Sequence, residues 1–174
     1  MSDDPAWDAE NLYCHYTWVE PSCIRVSADE VTYLAHVLLR YQLEKALIAG
    51  NITVADLPEA WGEAMTSLLG VTPPNDRMGC LQDIHWYIGA FGYFPTYTVG
   101  AMIAAQLFDA ACRTDTTILP GLASGSFKPL LTWLRRHVHA HGSFFLSADD
   151  LLKAATGKTL DAAVLTTHLK RRYL

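Results

Sequence analysis

The chain has 174 residues, 51% of them hydrophobic and 18% charged. That is enough apolar material to bury a core, and it excludes a globally disordered chain. Lys and Arg together number 13 against 18 Asp and Glu, a formal charge of −5, so nucleic acid is not an expected partner, because phosphate binding needs a basic surface. Lys170, Arg171 and Arg172 near the end read as complements to a helix C-terminus. The cysteines at 14, 23, 80 and 112 form no CxxC pair, which excludes a zinc ribbon and a dithiol redox motif. The first ten residues are acidic and lack an apolar run, so no secretory signal is read, and a cytoplasmic location with reduced thiols is expected.

In chain order, residues 3–18 predict a first helix with Pro5 near its start, broken by Pro21 and Ser22. Ser27-Ala28-Asp29-Glu30 reads as a capping box opening a long helix over residues 28–49. Val31, Leu34, Ala35, Leu38, Leu39, Leu43 and Leu47 make its apolar stripe, and Gly50 ends it. Thr53 or Asp56 opens the next helix, with Trp61, Met65, Leu68 and Leu69 inside and Gly70 at its end. Residues 72–76 are a turn cluster, and residues 79–92 leave room for a short helix.

Between Asp83 and Asp109 His85 is the only ionisable group expected to carry charge near neutral pH, a length that could span a bilayer. Pro95, Gly89, Gly92 and Gly100 interrupt it, as do several Tyr and Thr, so a buried wall of a helical protein is expected and no membrane partner. Residues 96–112 predict a helix in which Gly100, Ala101, Ala104 and Ala105 permit close packing. Residues 121–126 read as a loop, with Ser126 capping a helix that runs to Gly142. Ser147 with Asp150 opens a short helix ended by Gly157, and Thr159 or Asp161 opens the last. Nothing alternates strictly, no repeat is visible and no linker stands out. The expectation is one all-α domain over residues 1–174.

None of the seven histidines is followed by Glu, so HExxH is absent; GxSxG, P-loop and GxGxxG patterns are absent too. His137 and His141 are four apart, which on a helix offers two metal ligands in need of a third. The alternative is imidazoles facing the negative end of their helix. Gly79-Cys80-Leu81-Gln82-Asp83-Ile84-His85-Trp86 places an amide, a carboxylate, an imidazole and an indole within five residues of an apolar region. Such groups need partners, either in a pocket wall with His85 donating to a substrate or in a network that locks a turn. Tyr93 and Tyr97, in an aromatic turn, are candidates to donate to a developing oxyanion, or are core residues with satisfied hydroxyls. Arg25, between Ile24 and Val26, calls for a carboxylate that is either a ligand's or an internal acid's.

Together these segments resemble the carboxypeptidase Taq type of zinc metallocarboxypeptidases. Ile24-Arg25-Val26-Ser27-Ala28-Asp29 looks like that family's IRxxAD motif, and residues 79–86 match GxxQDxHW at every fixed position. Residues 56–61, GVTPPND and FGYFPTYTVG look like the sequence between and after them. The resemblance runs over residues 7–173 and is to the C-terminal part of the family only, without the HExxH half. It implies an all-helical fold, a usual homodimer and removal of single residues from peptide C-termini with zinc. It also implies that Arg25 holds a terminal carboxylate, with His85, Gln82 and Asp83 on the substrate side and Tyr97 or Tyr93 assisting the tetrahedral intermediate. No zinc ligand or general base carries over, so no cofactor is expected. Without zinc the remaining groups have no activated water to assist. The expected role is a binding or dimerisation module that is inactive alone, facing a peptide C-terminus or small carboxylate, and associating with itself or a partner protein. The alternative is one part of an active enzyme whose metal half comes from another chain.

Overall fold

The computed structural model describes residues 5–174, so the helix start expected near residue 3 lies outside the described residues. Among these, every regular element is helical: α1 Ala9–Tyr16, α2 Thr32–Ile48, α3 Leu57–Leu69, α4 Pro95–Thr114, α5 Ile118–Ala123, α6 Lys128–His137, α7 Ala148–Thr156 and α8 Ala162–Tyr173, with short 3-10 turns at Pro5–Trp7, Arg25–Ser27 and His139–His141. The fold class is all-α. The chain divides into two compact units, Met1–Thr98 and Val99–Leu174.

In the first unit α2 packs on α3. Leu39, Leu43, Leu57, Trp61, Met65, Leu69 and Cys80 form its buried core. Gly70, in the left-handed region at φ 69°, closes α3 as its position after Leu69 predicts. The start of α2 differs from expectation. Ser27 lies in the 3-10 turn, and Asp29 instead accepts from the N–H groups of Val31 and Thr32 and from the Thr32 hydroxyl. The stripe differs too. Leu39 and Leu43 are buried, but Val31 and Leu38 are exposed, while Thr32, His36, Arg40 and Glu44 are buried one turn apart along α2. Residues 79–92 form successive turns, not a short helix.

In the second unit Ala110, Ala111, Ile118 and Trp133 make the core. The Trp133 indole donates to the Thr114 hydroxyl at 2.8 Å. The segment read as a loop from residue 121 begins inside α5, and α6 starts at Lys128 with Phe127, not Ser126, at its cap. It stops at His137 rather than reaching Gly142, because Val138 leaves the helical region (φ −126°, ψ −65°). Gly100 and Ala104 face solvent, and a Cβ on Gly100 would meet nothing within 4 Å, so they make no close helix contact. Ser147 and Asp161 cap α7 and α8 through Asp150 N–H and Ala163 N–H.

Candidate functional site

The polar residues singled out in the sequence converge in the first unit, on the turns of residues 79–94 and the buried face of α2. Gln82 ties the turns to the strand-like entry into Arg25–Ser27. Its amide N–H groups donate to the carbonyls of Cys23, Met78 and Gly79, and its Oε1 accepts from the Arg25 N–H at 2.9 Å. Asp83 is the hub. Its Oδ1 accepts from Arg25 Nε at 3.1 Å and Nη2 at 2.7 Å, and its Oδ2 accepts from Arg40 Nε at 2.6 Å. Arg25 Nη1 donates to the Tyr33 hydroxyl at 2.6 Å. Arg25 is 5% exposed and Arg40 0%. The acid that the position of Arg25 calls for is therefore present within the chain.

Burial pushes the Asp83 carboxyl upward, but hydrogen bonds and charge from Arg25 and Arg40 outweigh it and hold the group below the usual carboxylate range. Arg40, wholly enclosed, is lowered by that burial to about 10 despite Asp83. His36, one turn before it, is lowered to about 4 by burial and then by the charges of Arg40 and Arg25.

At the edge of this network His85 Nε2 and the Tyr97 hydroxyl are 3.0 Å apart. The imidazole packs at 4.4 Å from the Phe94 ring and 5.5 Å from Tyr93 (centroid distances), and its Nδ1 lies 3.9 Å from Asp83 Oδ1. The Tyr97 ring lies 4.9 Å from the Arg25 guanidinium carbon, within cation–π range. Glu44 clamps the same turns from α2, accepting from Trp86 Nε1 at 2.8 Å and from the N–H of Gly92. Gly92 has φ 80°, a turn that a side chain would strain.

Thus Arg25, Gln82, Asp83, His85, Tyr93 and Tyr97 lie together. Tyr33, His36, Arg40, Glu44 and Phe94 belong to the same arrangement and were not singled out. The four-residue spacing of Thr32, His36, Arg40 and Glu44 was the available signal. Around this site large apolar side chains face solvent: Ile84 is 67% exposed, Tyr87 65% and Ile88 69%, with Leu81, Phe91 and Tyr93 also open.

His137 and His141 do not share a continuous helix. His137 Nδ1 is 2.9 Å from the Trp133 carbonyl with its ring stacked on the indole, and His141 meets the edge of Phe145. Among the described residues no three His, Cys, Asp or Glu side chains group as metal ligands, so the residues present do not fit the zinc that the resemblance implies. Among the described residues no helix is long and apolar enough to cross a membrane.

A family model described as carboxypeptidase Taq (M32) metallopeptidase matches residues 1–173. The chain is 46% identical to thermostable carboxypeptidase 1 of Thermus thermophilus over 164 residues, covering 94% of this chain and 32% of that protein. It is 40% identical to thermostable carboxypeptidase 1 of Pyrococcus furiosus, covering 95% of this chain and 33% of that one. The solved structure of Trypanosoma cruzi metallocarboxypeptidase 1 superposes with a TM-score of 0.92 at 42% identity, covering 98% of this chain and 36% of that chain. The chain therefore spans about a third of the length of the relatives it matches. With the family model matched along the chain and these identities on either side of it, the chain belongs to the carboxypeptidase Taq (M32) metallopeptidase family.

Proposed function

We propose that this third of the family fold is its C-terminal part, without the HExxH half, and that alone it acts as a binding or dimerisation module and not as a peptidase. The observation that carries the reading is the open apolar surface of residues 81–93, led by Ile84, Tyr87 and Ile88. Exposed apolar side chains concentrated in one segment mark contact surfaces. Arg25, Gln82 and Asp83 act in this reading as the frame that holds that segment. A peptide carboxylate meets the network only at its rim, where His85, Tyr93 and Tyr97 lie.

Sedimentation of the purified chain tests this. Self-association in the micromolar range is expected, and the double variant I84K/I88K should sediment as a monomer with an unchanged helical spectrum. Hydrolysis of a blocked dipeptide should stay at background with added zinc. A monomer that trims peptides, loses the activity to chelator and regains it with zinc would overturn the proposal.

The same open surface also favours a second reading: another polypeptide supplies the metal half. Co-purification of an HExxH-bearing chain, lost in I84K/I88K, is the outcome that selects it over self-association.

A further inference from the structure

The two units carry opposite charge. Residues 1–98 hold 4 Lys and Arg against 13 Asp and Glu, and residues 99–174 hold 9 against 5, leaving −9 on the first and +4 on the second. Each pole also presents an exposed helix. α1 buries no residue. Glu10, Tyr13 and Tyr16 follow at three-residue steps and so line one side of it, with the two tyrosines 52% and 73% exposed. No Lys or Arg precedes Arg25. α6 turns Leu130, Trp133 and Leu134 to the core of the second unit. Its other side shows Lys128, Leu131 and Arg135 to solvent, with Phe127 exposed at its start. No acid lies between Asp115 and Asp149. Among the described residues, Glu10, Lys128 and Arg135 form no ion pair.

The two exposed lines match when run antiparallel. Glu10 to Tyr16 covers about 9 Å of helix axis, and Lys128 to Arg135 about 10 Å. Glu10 then meets Arg135, Tyr13 meets Leu131, and Tyr16 meets Phe127 and the Lys128 cation. The helix dipoles oppose one another in the same alignment. We propose that α1 of one copy docks on the outward face of α6 of a second copy. A lipid surface or a nucleic acid would engage the basic face and leave the aromatic side of α1 uncovered. The contact is separate from the apolar surface of residues 81–93. It is the weaker of the two, because exposed charge pairs contribute little.

Sedimentation of the I84K/I88K chain, in which that apolar surface is disabled, provides the test. It is run at low ionic strength and at concentrations well above the micromolar range. Association is expected, weakened about fivefold by either E10R or R135E, with helical spectra unchanged. Mixing those two variants should restore it, because each carries the charge that the other lacks. A contact within a single chain gives no such restoration. Equal sedimentation of all the chains, or a mixture no more associated than its parts, overturns the proposal and leaves the basic face to a different acidic partner.

Discussion

The two units bury different chemistry. In the first, a ladder of Thr32, His36, Arg40 and Glu44 runs beside the leucines of α2 and reaches Arg25 and Asp83. In the second, Gln106 is the only buried polar residue among those described, accepting from Asp161 N–H and donating to the Thr159 carbonyl. The second unit is held by ordinary means: small apolar residues around Trp133 and capped helix starts. The first uses charges because it must hold a segment with no helical ladder of its own. Residues 79–92 pair their backbone through turn hydrogen bonds, and Glu44 of α2 and Gln82 add the Gly92 N–H and the Gly79 carbonyl.

The sharpest way to break this contrast is Asp83→Ala, which leaves two enclosed guanidinium groups without their shared carboxylate. A loss of about 3–5 kcal/mol is expected from urea unfolding, and Arg25 and Arg40 must both be neutralised to recover it.

A pH titration comes next in size. The His36 imidazole gains its proton in the folded chain only near pH 4, against 6.5 when unperturbed. Between these values the unfolded chain binds the proton and the native chain does not. Stability therefore falls as pH drops from 6.5 toward 4, by on the order of 3 kcal/mol in total. Asp83 acts with the same sign in a lower pH window. Its folded value is depressed, so its contribution is lost only at lower pH, below the carboxylate range. In His36→Gln the slope between pH 6.5 and 4 should vanish. A slope that persists would place the titrating group elsewhere.

The smallest effect belongs to the second unit. Ser147→Ala removes the acceptor for Asp150 N–H at the start of α7 and should cost about 1 kcal/mol, with no change in the pH slope.

How far the fold was legible follows the same division. Helix ends governed by local rules were readable: Gly50, Gly70, Gly157, Ser147 and Asp161 all sit where a capping argument puts them. Ser27 failed as a cap because tertiary demands place it in the 3-10 turn that delivers Arg25 to Asp83. The site motif was legible as a set of residue types, since Gln82, Asp83 and His85 stand within four positions. Its inner half was not. Arg40 and Glu44 look like the solvent face of an amphipathic helix, and only contacts 43 and 42 residues away in sequence, to Asp83 and Trp86, bury them. Likewise the pair at His137 and His141 is four apart in sequence, but Val138 breaks the helix between them.

The clamp that Glu44 places on Trp86 and Gly92 has a thermodynamic consequence for the docking role proposed for this segment. Ile84, Tyr87 and Ile88 sit on backbone already fixed before any encounter, so association with this segment forfeits little chain freedom. A modest buried area can then give useful affinity. Cutting the clamp should slow capture of a partner even where every apolar side chain remains.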